Sequence, residues 1–227
     1  MHRGSHHLDL WVQGIFGSGV PGDQLYSGMT HTDRNSLRQS LRQKRRQLSS
    51  AEQGHAARQN YELIVGEDFF VTAERIAFYL ASDGEIDPSA LLAMALTTGK
   101  RCFLPVIGES NPDLVSFAPY SEESKLTVNR WDIAEPCVSA SELVDAESLD
   151  LVFVPLVGFD ETCSRLGRGK GFYDRSFAFK SGFENQKPLL VGLAHECQRL
   201  DRIPVSDWDV RLDAVITDRK SYRPDTA

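Results

Sequence analysis

Cysteine is scarce, with four in 227 residues, at Cys102, Cys137, Cys163 and Cys197. No two form a C-x-x-C pair, so neither a zinc module nor a disulfide scaffold is indicated, and the four read as free thiols of a reducing, cytoplasmic compartment. Long hydrophobic runs are also missing. The longest nearly unbroken apolar stretch, Leu151 to Phe159, has nine residues and contains a Pro and a Gly, whereas a bilayer span needs about 20. Positive charge is the minority sign: 25 Lys and Arg face 32 Asp and Glu, a net charge of −7. That balance excludes whole-surface attraction to nucleic acid or anionic membrane and confines any anion site to a local patch. What is present is ordinary, 41% hydrophobic and 25% charged residues, the composition of a folded globular domain.

Residues 1–28 differ from the rest, because His, Gly and Ser are scattered through them without helical or strand period. They lack the 7 to 15 consecutive apolar residues of a secretory signal. The opening MHRGSHH resembles a broken affinity tag. We therefore expect an extension over 1–28, outside the fold, and a single domain over 29–227.

From Asp33 the spacing predicts a first helix, with leucines at 37, 41 and 48 and no Gly or Pro. Ser49 followed by Glu52 has capping-box spacing and predicts a second helix to about Val65. A short strand is expected from Ile76 to Leu80, ending in the turn residues Ser82, Asp83 and Gly84. Asp87 and Pro88 then open a helix that Gly99 closes. Strands are expected at 101–106 and 114–118, a weak helix near 139–147 and a strand from Leu149 to Val154. A helix over Tyr173–Phe179 and strands over Leu189–Leu193 and Ala214–Thr217, the last of the chain, complete the pattern. Strands alternating with helices imply a three-layer, Rossmann-like α/β fold with a mostly parallel sheet.

The segment LVFVPLVGFDETCSRLGRGKGFYDR, residues 151–175, carries the most chemistry. A buried strand leads into a loop with Gly167, Gly169 and Gly171 at alternate positions among Arg165, Arg168 and Lys170, and a helix follows. Glycine lets such a backbone fold around phosphate oxygens, a helix amino terminus adds partial positive charge, and the cations add charge-assisted hydrogen bonds. The loop suits a polyphosphate. It is neither a Walker A loop, since Gly171 follows Lys170, nor the dinucleotide fingerprint, since its third glycine comes one residue early; a flexible basic surface loop is the alternative. Asp174 directly after it has the chemistry for Mg²⁺, or is simply a first-turn helix Asp.

On the first helix Arg34, Arg38 and Arg42 repeat at i, i+4, joined by Lys44, Arg45 and Arg46. Like charges at that spacing repel, a cost that an anion would relieve, although such a run is ordinarily a solvated face. No aromatics interleave with it, which weakens a single-strand nucleic-acid reading. Glu85, in LASDGEIDP, is a loop carboxylate of a kind ordinarily solvated. His195 could act as acid or base, but a single His without a visible partner is more often structural. Arg165, near Cys163, could lower the pKa of that thiol. We assign Cys163 no catalytic role.

Taken together, RNSLR at 34–38, LASDGEID at 80–87, GFDETCSRLGRGKGFYDR at 158–175 and VGLAHECQRLDRIPVSDWDV at 191–210 resemble the 5-formyltetrahydrofolate cyclo-ligase family. The similarity covers about residues 30–220. It implies an enzyme that uses ATP and Mg²⁺ to close 5-formyltetrahydrofolate, which can carry polyglutamate, to 5,10-methenyltetrahydrofolate, releasing ADP and phosphate. By the same resemblance Arg34 and Arg38 contact ATP phosphates, and Arg165, Leu166, Gly167, Arg168, Gly169, Lys170, Gly171, Phe172 and Tyr173 form the ATP loop, with Lys170 and Arg168 acting on the transferred phosphoryl group. Leu80, Glu85 and Phe172 contact the folate, and Asp174 with Asp213 hold Mg²⁺. The chain departs from the family pattern at Arg34, where Lys is frequent, at Cys163 and Ser164, where Gly and Asn are frequent, and at Phe172, where a frequent Tyr would carry a hydroxyl. Alternatives are a sugar-phosphate isomerase or a CoA-transferase-like enzyme on a similar scaffold, from which ATP dependence would separate the ligase since the isomerase needs none, and a non-catalytic RNA-binding module built on the basic helix, which salt-sensitive RNA binding would reveal.

Overall fold

A computed structural model describes residues 31–107, 112–130, 133–180 and 187–224. The expected extension over 1–28 lies outside them. In chain order the elements are α1 (His31–Arg46), α2 (Ser50–Ile64), α3 (Asp68–Thr72), β1 (Arg75–Ala77), α4 (Ser89–Thr97), β2 (Arg101–Val106), β3 (Ser116–Tyr120), β4 (Leu126–Val128) and β5 (Ala134–Pro136). They continue with β6 (Leu151–Pro155), β7 (Gly158–Phe159), β8 (Arg165–Leu166), α5 (Phe172–Ser176), β9 (Leu189–Leu193), β10 (Ala214–Ile216) and β11 (Ser221–Tyr222).

The main sheet runs β11-β10-β9-β6-β1-β2-β3. Its inner pairings are parallel, and β11 and β3 close the two edges antiparallel. Strand alternation sends Ile76, Phe78, Cys102, Leu104, Leu151, Phe153, Val191 and Leu193 to one face, under α2, α3 and α4. Ala77, Phe103, Val152, Val154, Leu190 and Val215 go to the other, against Phe117, Phe159 and Phe177. Burial on both faces explains why these strands read as nearly continuous apolar runs.

The capping box is realised: Ser49 Oγ accepts from Glu52 N–H, and the Glu52 carboxylate accepts from Ser49 N–H at 2.8 Å. Asp87 Oδ1 accepts from Ser89 N–H, and Gly99, at φ 77°, ends α4. Other expectations are corrected. The strand expected at 76–80 is regular only over Arg75–Ala77, with one further bond from Phe78 N–H to the Phe103 carbonyl at 2.9 Å, and that expected at 114–118 lies two residues later. The region 139–147 forms two separate 3-10 turns, and the helix expected over 173–179 is the five-residue α5 followed by another such turn. β11 follows the strand expected to be last.

The chain passes from β1 to β2 on one side and then returns across β1 to β6 on the other. The strand order therefore reverses between β1 and β6, and a crevice beyond their carboxyl ends is where ligands enter open sheets of this kind. Helix α1 covers that end through Leu37 and Leu41, which pack with Val157, Leu166, Leu200 and Ile203.

Candidate functional site

Three segments meet at this reversal: the turn after β1, the glycine loop between β8 and α5, and α1. Arg38 Nε donates to the Gly167 carbonyl at 2.9 Å, so the helix arginine lies against the loop. Burial, and then the charge of Arg34, lower the pKa of the Arg38 guanidinium. Gly169 and Gly171 sit at φ 101° and 68°, and a Cβ on Gly169 would lie 3.4 Å from Arg38 Cζ. Both positions thus need glycine, Gly169 for conformation and close approach together. Arg168, Gly169 and Lys170 are exposed at the crest.

Arg168 reaches across to the β1 turn. Its Nε and Nη2 donate to Glu85 Oε1 at 3.2 and 2.8 Å, and Nη2 also donates to Ser82 Oγ. Glu85 is not the solvated carboxylate expected: its side chain is 3% exposed, and its Oε2 accepts from Ser82 N–H at 3.1 Å. Leu80, in the same segment, is half-buried against the core. Phe172 is half-buried at the other side of the loop, with the Arg175 guanidinium 5.6 Å from its ring. Tyr173 stacks on Phe177 at 6.0 Å, and burial pushes its hydroxyl pKa up.

Several expected site residues are engaged elsewhere. Arg165 is buried, ion-paired to Asp174 and directed toward the Val210 carbonyl, so its side chain anchors the base of the loop. The Leu166 side chain is in the cluster with Leu41 and Val157, which leaves only its backbone to face a ligand. Arg34 pairs with Asp209 at 3.0 Å and donates to Ser206. Cys163 is corrected outright: fully buried, its thiol is pushed up to about 12. The helix-dipole contribution is also smaller than expected, because α5 has five residues.

The two carboxylates expected to hold Mg²⁺ are not joined by any contact among the described residues. Asp213 lies at the amino ends of β9 and β10, paired with Lys180 at 3.2 Å and accepting from Leu190 N–H at 2.7 Å. Asp174 takes both Arg165 and Val210 N–H on Oδ1. Its Oδ2 therefore fits the single carboxylate oxygen that Mg²⁺ can use alongside phosphate oxygens and water. No group of three or more His, Cys, Asp or Glu that could hold a metal occurs among the described residues.

The pairing of Arg45 with Asp83 was not foreseen from the sequence. Arg45 has a fully buried side chain, and Asp83 accepts from Arg42, Arg45 and Arg46. The anion that relieves the arginine run is thus an internal carboxylate. Burial alone would raise Asp83, but the Arg42 and Arg46 hydrogen bonds and the Arg45 charge hold it below its ordinary range. The residue spacing on α1 was the signal, yet nothing local named the partner 38 residues away.

A hollow of about 410 Å³ lies apart from this site, lined by Leu48, His55, Cys197 and Asp218 among others, and no glycine-loop residue lines it. No helix among the described residues is long and apolar enough to cross a membrane.

The profile of the 5-formyltetrahydrofolate cyclo-ligase family matches residues 30–218. The chain is 36% identical over 182 residues to the 5-formyltetrahydrofolate cyclo-ligase of Escherichia coli K12, covering 80% of this chain and 98% of that one. It is 28% identical over 187 residues to the mouse enzyme of the same name, covering 81% and 92%. Among solved structures, the 5,10-methenyltetrahydrofolate synthetase of Aquifex aeolicus superposes with a TM-score of 0.72 at 28% identity, over 86% of this chain and 94% of that one. The synthetase of Mycoplasma pneumoniae superposes with a TM-score of 0.63 at 26% identity, over 82% and 99%. A profile match over residues 30–218, together with 36% identity to a cyclo-ligase over 80% of the chain, means that the chain belongs to the 5-formyltetrahydrofolate cyclo-ligase family.

Proposed function

We propose that the protein converts 5-formyltetrahydrofolate to 5,10-methenyltetrahydrofolate at the expense of ATP. The observation that carries the reading is the convergence of a cationic glycine loop and a buried carboxylate, Glu85, at one crevice. A formamide carbon is a poor electrophile because nitrogen donates into the carbonyl. The formyl oxygen attacks the γ-phosphorus, the bond to ADP breaks, and the oxygen becomes part of a phosphate leaving group. Nitrogen 10 then bonds to the formyl carbon, gives up its proton, and phosphate departs.

Such transfer depends on positioning and charge neutralisation and needs no protein nucleophile. Arg38, Arg168 and Lys170 neutralise the phosphates, with Arg34 at the rim and the backbone of 165–171 shaping the cradle. Glu85 accepts hydrogen bonds from the pterin amino groups, and Leu80 and Phe172 give it apolar contact. Mg²⁺ supplies charge neutralisation between phosphates when bound, and Asp174 Oδ2 is the protein ligand we assign to it; Asp213 orients the strands from their amino ends. The substrate is a small molecule, its polyglutamate tail included, and the net charge of −7 argues against a nucleic-acid partner. Free thiols at all four cysteines support a cytoplasmic location.

The test is omission: 5-formyltetrahydrofolate with MgATP, then without ATP and without Mg²⁺. Methenyl product that forms equally well without ATP would overturn the reading.

A further inference from the structure

Arg45 touches neither the glycine loop nor solvent. Its side chain is 0% exposed, and a guanidinium removed from water persists only where its donors are matched. Nε donates to the Asp83 carbonyl at 2.7 Å, Nη2 to Asp83 Oδ2 at 2.8 Å, and Nη1 to the Leu156 carbonyl just past β6 at 3.1 Å. Nη2 also stands 3.7 Å from Glu85 Oε1. The turn so held is closed on itself by Glu85 N–H donating to the Ser82 carbonyl at 3.1 Å, and Arg45 braces it from the side of α1. Asp83 and Gly84 are consecutive residues at φ 56° and 74°, and Asp83 adopts that left-handed conformation against its own Cβ. A Cβ on Gly84 would lie 3.4 Å from the Arg45 carbonyl, so α1 backbone as well as side chain presses on the turn. His195 Nε2 adds a bond to the Gly84 carbonyl at 3.1 Å from below.

We propose that Arg45 is the positioning residue for Glu85, fixing the Asp83–Gly84–Glu85 turn from behind so that the carboxylate is preset for the folate. The proposal rests on the cyclo-ligase reading of Glu85. Arg42 and Arg46 reach the same Asp83 from solvent, with side chains 45% and 58% exposed, and exposed pairs contribute little. They provide the internal contrast: the same carboxylate partner without the buried links to Leu156 and to the turn backbone.

The experiment compares steady-state constants and melting temperatures for the wild type, Arg45→Met, Arg45→Lys, Asp83→Asn, and the pair Arg42→Ala and Arg46→Ala. Arg45→Met and Asp83→Asn are expected to raise the KM for 5-formyltetrahydrofolate at least tenfold while the KM for ATP stays within about threefold. Arg45→Lys, which keeps the charge but not the fork of donors, should fall between. The Arg42 and Arg46 variants should match the wild type. If Arg45→Met does not fold, Arg45→Lys and Asp83→Asn decide the matter. A lowered melting temperature with both KM values unchanged, or equal rises in both, would overturn the role. Absence of product from the wild type would overturn the cyclo-ligase reading itself, a result distinct from normal wild-type turnover with unaltered folate KM in the variants.

Discussion

Arg168, on the glycine loop, donates two hydrogen bonds to one oxygen of Glu85, 83 residues away. The cation assigned to phosphate and the carboxylate assigned to folate are therefore each other's counterion. Either substrate must draw on a group that the other half of the site also holds.

Mutations should reveal that sharing. Lys170→Ala should raise the KM for ATP and Glu85→Gln that for folate, whereas Arg168→Ala should raise both, by roughly tenfold or more given about 1.5–3 kcal/mol for a charge-assisted hydrogen bond. Matching effects of Lys170→Ala on the two substrates would count against the division.

Gly169→Ala should weaken ATP binding without unfolding the protein. The new methyl group must adopt φ 101° and meet Arg38 Cζ at 3.4 Å, a strain of about 1–3 kcal/mol in a loop. A rise in ATP KM is expected, together with a melting temperature lowered by about 2–4 °C for each kcal/mol of that strain. An unaffected KM would show that the loop conformation is not set by this residue.

His195 should make stability pH-dependent. Burial lowers its pKa below the ordinary 6.5, opposed by the bond to the Gly84 carbonyl and by Asp218. In the unfolded chain it takes up its proton near 6.5, before the folded form does, so its contribution is complete above that pH and is lost as pH falls through the folded value. The melting temperature of the wild type should therefore drop more steeply between pH 7 and 5 than that of His195→Gln. Parallel curves would contradict the assignment.

Thiol chemistry separates the cysteines. Cys137 and Cys197 are exposed, while Cys102 and Cys163 are buried, with pKa values raised to about 11 and about 12. Alkylation of the native protein should label Cys137 and Cys197 alone. Rapid labelling of Cys163 would show that the β7–β8 hairpin opens.

Local physics made much of the fold legible. The Ser49–Glu52 spacing, the Gly99 stop and the continuous apolar run of β6 are short-range signals; the first two appear where expected, and β6 begins two residues after the expected Leu149. The hairpin of β7 and β8, two residues on each strand, has too short a pattern to read. The loop motif suggests a phosphate site, yet which of its cations face a ligand depends on distant partners. Arg165 turned inward to Asp174, Arg168 reached across to the buried Glu85, and Arg45 was drawn into the interior by Asp83. Such pairings are decided by tertiary structure, which explains why Glu85 read as a solvated carboxylate and proved buried.

The most direct measurement follows the absorbance of methenyl product when the protein is mixed with 5-formyltetrahydrofolate and MgATP, with each component omitted in turn. The account predicts product only when ATP and Mg²⁺ are both present. No product from a folded protein that still binds ATP would contradict it, and Glu85 and Phe172 would be the first assignments to abandon.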